Sequence, residues 1–316
     1  IVFGDHTRCV KYVGFPFCMG ADGVKVLRPK IEADLKYLYY FLSQLDIPNA
    51  GYDRHYKYLK RTDVVLQPLP EQRRIAAILD QADALRAKRR EALAQLDSLT
   101  QSIFIEMFGD PVTNSKDWDL VRLGNEVKLQ GGFAFKSSDY VASGIRLVKI
   151  SNVHKDVLTW DDVDQLPCEY LNTSKAFSLN RDDIVLALTR PIIKSLKSVK
   201  IAVVSAADVP SLLNQRVGRF IFRNSSSIEP LYLLGFCRSP AFFNAVKKFC
   251  SESLQPNMST SQVENLFIPL PPLVIQREYV KRMRAIEALN PIYSRSLSEL
   301  EILFASLQHR AFRGEL

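Results

Sequence analysis

The stretch Pro68-Leu69-Pro70-Glu71-Gln72-Arg73-Arg74-Ile75 recurs later in the 316-residue chain as Pro269-Leu270-Pro271-Pro272-Leu273-Val274-Ile275-Gln276-Arg277. The prolines match at an offset of 201, and the residues after them match at a constant offset of 204. Because such self-similarity indicates a duplicated structural unit, it predicts the organisation of the whole chain. The identical pairs are Gln72 and Gln276, Arg73 and Arg277, Ala84 and Ala288, Leu85 and Leu289, Leu93 and Leu297, Leu96 and Leu300, Leu99 and Leu303, Ser102 and Ser306, and Phe108 and Phe312.

Each copy predicts an amphipathic helix of about 35 residues, roughly 50 Å long at 1.5 Å per residue. Such a helix cannot bury its apolar stripe in a small globule, so we expect the two copies to pack as an antiparallel pair. Asn290-Pro291 predicts a bend or break in the second copy, because proline costs a helix interior about 3 kcal/mol. Charges including Arg86, Lys88, Arg89, Arg90 and Glu91 are expected on the solvent side. The predicted apolar stripe consists of Ile75, Leu79, Ala82, Leu85, Leu93, Leu96, Leu99, Ile103 and Met107 in the first copy, and of Ile275, Tyr279, Met283, Ile286, Leu289, Tyr293, Leu297, Leu300, Leu303 and Leu307 in the second.

The segments between the helices also repeat. Ile184-Val185-Leu186 followed by Thr189-Arg190 echoes Ile1-Val2-Phe3 followed by Thr7-Arg8. Leu231-Tyr232-Leu233-Leu234 echoes Lys36-Tyr37-Leu38-Tyr39. Residues 1–67 therefore match the later part of residues 116–268. The chain starts without methionine inside a predicted strand, so we expect it to lack the first ~65 residues of its first module.

Residues 145–150, 200–204 and 219–223 have the apolar composition of strands, and residues 229–250 are predicted to be helical. The expected fold class is α+β, with mixed α/β modules joined by two long antiparallel coiled-coil helices. Four segments are predicted: 1–67, the later part of a first module; 68–115, a long helix; 116–268, a complete second module; and 269–316, a second long helix.

The composition favours a polyanion-binding protein with two domains. The net charge is +8 and the sequence pI is about 9.2, and phosphates neutralised by basic side chains release condensed counterions. No run of 18 apolar residues indicates a transmembrane helix, and no secretory signal opens the chain. The cysteines have no metal-site spacing, so we expect buried free thiols and a cytoplasmic location; they are Cys9, Cys18, Cys168, Cys237 and Cys250.

Enzyme motifs are weak. Asn290-Pro291-Ile292-Tyr293 is similar to the Asn-Pro-Pro-Tyr motif of amino-methyltransferases, but the second proline and a glycine-rich cofactor motif are missing. A nuclease needs clustered carboxylates, whereas Asp161, Asp162 and Asp164, like Asp182 and Asp183, are expected in turns or caps. The scattered histidines indicate no catalytic triad. We predict no catalytic residue, no metal and no cofactor in this chain.

Three segments together resemble the specificity subunits of type I restriction–modification systems. The Pro-Leu-Pro turn with Glu71-Gln72-Arg73-Arg74-Ile75 and a long helix running to Gly109-Asp110-Pro111 resembles their central conserved region. The closing residues 307–316 resemble the distal conserved end, and Gly131-Gly132-Phe133-Ala134-Phe135-Lys136-Ser137 resembles the start of a target recognition domain.

The resemblance implies a non-catalytic subunit that recognises a bipartite site in double-stranded DNA through two target recognition domains. It also implies docking to modification (methyltransferase) subunits, through which a restriction (motor and endonuclease) subunit joins. Those partners would methylate adenine with S-adenosylmethionine and cleave DNA with ATP. The alternatives are an adenine-specific methyltransferase or a nuclease acting on its own, and a coiled-coil scaffold without a DNA role. Self-association through the long helices is also open.

The candidate DNA contacts lie in polar, basic loops. Arginine suits guanine edges, asparagine and glutamine suit adenine, and lysine mostly meets phosphate. The competing interpretation is a solvated charged face or a turn, about equally favoured for the lysines and for Asn214-Gln215-Arg216. Phe133, Phe135 and Tyr140 are expected in the core. The candidates are Thr189, Arg190, Lys194, Lys197, Asn214, Gln215, Arg216, Gln255, Asn257, Ser259, Thr260, Lys136, Ser137, Thr7 and Arg8.

Overall fold

The computed structural model of the chain describes residues 1–20, 22–49, 51, 53–223, 227–251 and 256–316. The first part contains β1 (Val2–Gly4), β2 (Val10–Lys11), β3 (Val24–Val26), α1 (Leu35–Ser43), α2 (Tyr56–Leu59) and the long helix α3 (Leu69–Phe108). Next come β4 (Leu120–Arg122), α4 (Leu123–Glu126), β5 (Val127–Gly131), β6 (Ile145–Val148), β7 (Lys155–Asp156), β8 (Gln165–Leu166), α5 (Tyr170–Thr173) and β9 (Ile184–Ala187). The last part contains β10 (Ile192–Ile193), β11 (Ser198–Val199), β12 (Ile201–Val203), β13 (Ser211–Leu213), β14 (Val217–Phe222), α6 (Pro230–Cys237), α7 (Pro240–Ser251), α8 (Thr260–Glu264), β15 (Phe267–Pro269) and the long helix α9 (Leu273–Ala311). Four short 3-10 turns lie at Ser137–Asp139, Lys175–Phe177, Lys194–Leu196 and Ala206–Asp208.

The α+β prediction is confirmed, and both long helices form. The chain divides into two compact units, of which unit 1 comprises Ile1–Leu96 with Ala288–Leu316 and unit 2 comprises Asp97–Glu287. Each unit therefore contains the beginning of one long helix and the end of the other. The division into four segments is a different partition and stays a prediction.

The long helices pack antiparallel within each unit. In unit 1, Arg90 reaches Glu301 at 2.8 Å, and Arg74 donates to the carbonyl of Leu316 at 2.7 Å. In unit 2, the ring centroids of Phe108 and Tyr279 lie 5.2 Å apart. The partner residue number falls as the first number rises, so the two helices run in opposite directions.

Each unit contains a sheet in which a central strand is flanked on both sides by antiparallel strands. In unit 1, β1 lies between β2 and β3 and is antiparallel to both. In unit 2, β9 lies between β12 and β14, again antiparallel to both, within the five-stranded order β5-β14-β9-β12-β7. Unit 2 adds the sheets β13-β6-β8 and β15-β4 and the hairpin β10-β11. The sequence echo between residues 1–3 and 184–186 thus corresponds to equivalent strands.

A buried glutamine joins the short helix of each unit to the start of a long helix. Gln276 accepts a hydrogen bond from the Glu229 backbone N–H at 2.8 Å and donates to the carbonyl of Pro271 at 2.7 Å. Gln72 accepts from the Asp34 N–H at 2.9 Å and donates to the carbonyl of Gln67 at 2.7 Å. The Gln-Arg repeat therefore corresponds to one joint built twice.

Aromatic contacts close the same joint in both units. Tyr37 donates to the carbonyl of Val65 and lies edge-on to Phe312, with ring centroids 5.1 Å apart. Tyr232 donates to the carbonyl of Pro269 and lies edge-on to Phe108, at 4.7 Å. Phe312 directly follows the end of α9, and Phe108 is the last residue of α3. In each unit the rings therefore tie the start of one long helix and the end of the other to the unit's core.

In unit 1 the apolar stripe is buried where a third element packs on the helices. Ile75, Leu79 and Ala82 are buried against Tyr37 and Tyr40 of α1. Farther along the helices a single neighbour covers only part of each stripe. The prediction of buried positions is therefore wrong for four leucines, which are at least one-third exposed: Leu85, Leu99, Leu289 and Leu303.

Two predicted exposed arginines instead lie on aromatic rings. The guanidinium carbon of Arg86 is 4.0 Å from the centroid of the Phe304 ring, and that of Arg89 is 4.6 Å from the Tyr293 ring. Guanidinium groups stack on rings while their long stems cover apolar surface. These two residues therefore belong to the helix contact in unit 1, contrary to the solvent-side prediction.

The predicted interruption at Asn290-Pro291 does not break the second helix, because α9 is continuous from Leu273 to Ala311 with Pro291 inside it. Proline removes one backbone donor, but its fixed φ is helical, and Tyr293, two residues after Pro291, still contacts Arg89 of the other long helix. Among the described residues, none of the helices combines the length and hydrophobicity that a bilayer crossing requires.

The cysteines are free, as expected, but most are not buried. Cys9, Cys18 and Cys168 are exposed, Cys250 is half-buried and Cys237 alone is fully enclosed. The first three lie in connections between elements, where the polar backbone turns towards water. Burial raises the pKa of the Cys237 thiol well above its usual range.

We predict that Gln276→Met lowers the free energy of unfolding by roughly 3 kcal/mol, because it leaves the Glu229 N–H and the carbonyls of Pro271 and Ser227 without their partner. Gln72→Met should cost a similar amount at the twin joint. The matched control is Gln101→Met at an exposed position of α3, where a change below about 0.5 kcal/mol is expected. Urea unfolding monitored by circular dichroism measures all three, and equal stabilities would contradict a structural role for the joint.

Candidate nucleic-acid interface

Three distant segments meet where β9 ends and β14 begins. Leu188 N–H donates to the carbonyl of Arg216 at 2.7 Å, and Arg190 N–H donates to the carbonyl of Pro256 at 2.8 Å. Thr189 also pairs with Asn257 as an isolated antiparallel bridge. We name this surface the polar edge and define it by Thr189, Arg190, Asn214, Gln215, Arg216, Asn257, Ser259 and Thr260.

The side chains of the polar edge differ in exposure. Arg190, Gln215, Arg216 and Asn257 are exposed, whereas Thr189 and Asn214 are buried. The Asn214 carboxamide oxygen accepts a hydrogen bond from the Gln215 N–H at 2.8 Å, as the turn interpretation predicted. The edge therefore presents two guanidinium groups and two carboxamides to solvent.

Phe133 extends the polar edge and was wrongly assigned to the core. It is 47% exposed, and its carbonyl accepts the Gln215 N–H at 2.8 Å. Only Phe135 of the pair is buried, and it packs with Leu147 and Leu212. The preceding Gly132 is the sequence feature that marks close packing of this segment on Asn214, since a Cβ at Gly132 would collide with the Asn214 carbonyl.

Basic residues of the edge adopt an unusual backbone conformation. Arg190 has φ +48°, and Arg216 has φ +68°. Left-handed geometry costs a non-glycine residue about 1 kcal/mol, and such strain concentrates at functional sites. Glycine would relieve the strain, so each arginine at these positions carries an energetic cost.

The hairpin β10-β11 carries Lys194 and Lys197 beside the edge. Both are exposed, and Lys197 ends the 3-10 turn with φ +46°. Lys200, the next lysine after Lys197 in the sequence, points inward and donates to the carbonyl of Ile150 at 3.1 Å. Burial and, secondarily, the charge of Arg190 lower the pKa of Lys200. Its ammonium group is therefore directed away from the hairpin surface.

Two members of the polar edge form the start of a helix. The Ser259 hydroxyl accepts from the Gln262 N–H at 3.1 Å, and the Gln262 side chain accepts from the Ser259 N–H at 2.8 Å. This capping box starts α8, and Thr260 begins the helix half-buried. Gln255 lies outside the described residues.

Lys136 and Ser137 lie at a 3-10 turn near Phe133. Both side chains are exposed. The turn is held by Asp139, whose carboxylate accepts a hydrogen bond from the Tyr170 hydroxyl at 2.8 Å. The lysine therefore has a fixed backbone but a free approach to solvent.

In unit 1, Thr7 and Arg8 occupy the turn between β1 and β2. Arg8 has φ +60°, in the same region as Arg190, but its guanidinium donates to the carbonyl of Ile47 at 3.0 Å. The Thr7 hydroxyl accepts from the Cys9 N–H at 3.4 Å. Arg8 and Arg190 thus share a backbone conformation. The Arg8 guanidinium, however, is hydrogen-bonded to the backbone of unit 1.

Three of the five carboxylates considered for a nuclease, Asp162, Asp164 and Asp183, are paired with Lys149 or Arg219. Asp164 and Asp162 lie 2.5 Å and 3.5 Å from the Lys149 ammonium. Burial is the largest single effect on the pKa of Lys149 and lowers it, but the hydrogen bond to Asp164 and the charges of Asp164 and Asp162 together outweigh burial and leave the pKa raised. Asp183 pairs with Arg219 at 3.1 Å. Within the described ranges, no three histidine, cysteine or acidic side chains are grouped as metal ligands would be.

Comparison with known proteins identifies the family to which the chain belongs. The family model for the type I restriction modification DNA specificity domain matches residues 115–301, which include the polar edge. The chain therefore belongs to this family of type I restriction–modification specificity domains.

Two relatives are curated specificity subunits. The type I restriction enzyme MjaVIII specificity subunit of Methanocaldococcus jannaschii is 32% identical over 272 residues, which cover 82% of this chain and 63% of that protein. The EcoAI specificity subunit of Escherichia coli is 32% identical over 174 residues, covering 55% of this chain and 29% of that protein. The chain thus spans less than two thirds of the length of either relative.

A solved structure shows the same fold. The crystal structure of the type I restriction-modification S subunit from M. genitalium superposes with a TM-score of 0.52 at 16% identity. The match covers 89% of this chain and 73% of that one.

We predict that Arg216→Gly and Arg190→Gly leave the free energy of unfolding unchanged or raise it, whereas the alanine variants at the same positions fall about 1 kcal/mol below the glycine variants. Asp182→Gly, with φ +70° at the other end of β9, is the backbone control. Thermal unfolding compares the pairs, and a glycine variant less stable than its alanine counterpart would disprove the strain.

Proposed function

We propose that this chain is the DNA-recognition subunit of a type I restriction–modification complex and directs partner methyltransferase and restriction subunits to a bipartite target in double-stranded DNA. The observation that carries the proposal is the polar edge. Exposed arginines and carboxamides from three separate segments converge there, on the part of the chain that matches the specificity-domain family.

The chemistry of the edge suits base recognition in the major groove. A guanidinium donates two parallel hydrogen bonds to guanine, and a carboxamide matches the paired donor and acceptor of adenine. Arg190 and Arg216 are proposed for the first role, and Gln215 and Asn257 for the second. Lys136, Ser137, Lys194 and Lys197 are proposed to meet phosphates.

Asn214, Thr189, Ser259 and Thr260 are proposed to shape the loops that present these groups, because they are buried or engaged in a helix cap. Gln255 is proposed as a DNA contact on the basis of the sequence alone. Thr7 and Arg8 are proposed as the corresponding contacts of the first module. Arg8 would have to exchange its bond with the Ile47 carbonyl for a phosphate or base.

A methyltransferase or nuclease acting on its own is less well supported. Asn290-Pro291 lies within a continuous helix, whereas a catalytic motif has to present its polar groups to a substrate. Of the acidic residues considered for metal binding, Asp162, Asp164 and Asp183 are paired with Lys149 or Arg219. We therefore propose that catalysis, with its S-adenosylmethionine and ATP, belongs to partner subunits and that this chain has no cofactor.

The partners are proposed to dock on the long helices, in keeping with the relatives being specificity subunits of type I restriction enzymes. Exposed leucines along both helices supply apolar contact area for a modification subunit, and association of two copies through the same surface is the competing arrangement. A restriction subunit would join through the modification subunits. Function on chromosomal DNA implies a cytoplasmic location.

We predict that Arg216→Gly changes the methylated motif in cells that carry the partner subunits, because base recognition is removed from an intact fold. Deletion of the gene should abolish that methylation entirely. Sequencing of modified bases across the genome measures both effects. Asp182→Gly should leave the motif unchanged, and methylation of the original motif by the Arg216→Gly variant would contradict the assignment.

We further predict that the long helices set the spacing of the two half-sites. Seven residues added to each helix, after Leu96 and after Glu287, lengthen the pair by about 10 Å, which corresponds to roughly 3 base pairs at 3.4 Å each. The unspecified gap in the methylated motif should grow accordingly. The control scrambles the residues around the two insertion points without changing the length of either helix. An unaltered gap in the motif of the lengthened variant would refute the spacer role.

A further inference from the structure

A cleft in unit 2 adjoins the polar edge and is not explained by base recognition. Its volume is about 710 Å³. Arg190, Lys194 and Lys247 line it together with the apolar side chains of Ile192, Phe243 and Pro256. We name this the basic cleft. Arg190 and Pro256 belong to the cleft and also form the hydrogen bond at the end of the polar edge, so the two surfaces are continuous.

The three cations come from three different elements. Arg190 follows β9, Lys194 lies in the turn of the β10-β11 hairpin, and Lys247 lies on the outer face of α7. All three are exposed, and within the described part of the chain no ion pair neutralises any of them. Converging cations repel each other unless an anion lies between them, so the cleft is electrostatically suited to an anionic ligand.

The apolar floor restricts what that ligand can be. Ile192, Phe243 and Pro256 offer contact area but no side-chain hydrogen bond, so they cannot distinguish one base from another. The carbon face of a deoxyribose is a suitable partner, and the phosphates on either side of it would meet Lys194 and Lys247, which leaves Arg190 at the boundary for its proposed base contact. A free nucleotide shares this chemistry, but it does not account for the continuity of the cleft with the polar edge.

We propose that the basic cleft holds the sugar–phosphate backbone of one DNA strand and that Lys247 is a positioning residue that sets the duplex against the polar edge. The proposal rests on the function proposed above and deepens it, because it separates backbone binding in the cleft from base recognition at the edge. Lys247 was not among the residues selected from the sequence. A lysine on the polar face of an amphipathic helix is indistinguishable there from a solvated charge.

The test uses the purified full chain and a fluorescent 25-base-pair duplex pool with a randomised centre. Lys247→Ala should weaken binding by about fivefold and lower the slope of log affinity against log salt by about 0.9, the value for one phosphate contact. Lys247→Arg should restore both quantities. Lys128→Ala is the matched control, because it removes an exposed lysine from the outer end of β5, away from Gly131 and the edge.

The sequences enriched from the pool separate backbone binding from base recognition. The wild-type protein and Lys247→Ala should enrich the same sequences, whereas Arg216→Gly should enrich different ones. A changed preference in Lys247→Ala, an unchanged salt slope, or competition by thymidine monophosphate as effective as that by the duplex would overturn the proposal. Wild-type protein that binds no duplex would overturn the proposed function as well, whereas normal duplex binding by Lys247→Ala would overturn only the cleft.

Discussion

An apolar stripe along a helix of about 40 residues has to be covered, and this constraint governs the rest of the structure. The two long helices span 40 and 39 residues, and each is covered in part by the other. Neither helix belongs to a single unit, because the beginning of one combines with the end of the other. Each unit is therefore built from residues that are roughly 200 positions apart in the sequence, as the contact between Arg90 and Glu301 illustrates.

The joint at the start of each long helix holds that helix against the short helix of its unit. A buried carboxamide satisfies the backbone N–H at the start of the short helix and a carbonyl before the long one, and a tyrosine and a phenylalanine close over it. In unit 2 the joint lies at α6, and the five-stranded sheet ends in the polar edge. Recognition groups are thus carried on loops, while a duplicated and rigid scaffold supplies their foundation.

The same scaffold tolerates different surfaces. Arg8 and Arg190 adopt the same left-handed conformation after equivalent strands, yet one guanidinium bonds to a backbone carbonyl and the other faces solvent beside a cleft. Unit 2 has the β10-β11 hairpin at this point, whereas unit 1 turns within a few residues. Loop length therefore determines whether the retained arginine is available to a ligand.

The sequence alone predicts the repeat, the two long helices, the antiparallel pairing and the family, because these depend on periodicity and on identities that recur at fixed offsets. It also selected Arg190, Gln215, Arg216 and Asn257, which the fold brings to one edge. Which side chains face solvent follows from the fold and not from the sequence pattern. Lys200 turns inward, Ser259 caps a helix, Phe133 leaves the core, and Lys247 joins a cleft with residues more than fifty positions away. Exposure depends on what packs over a side chain, and residues distant in sequence supply that cover, so local patterns carry no information about it.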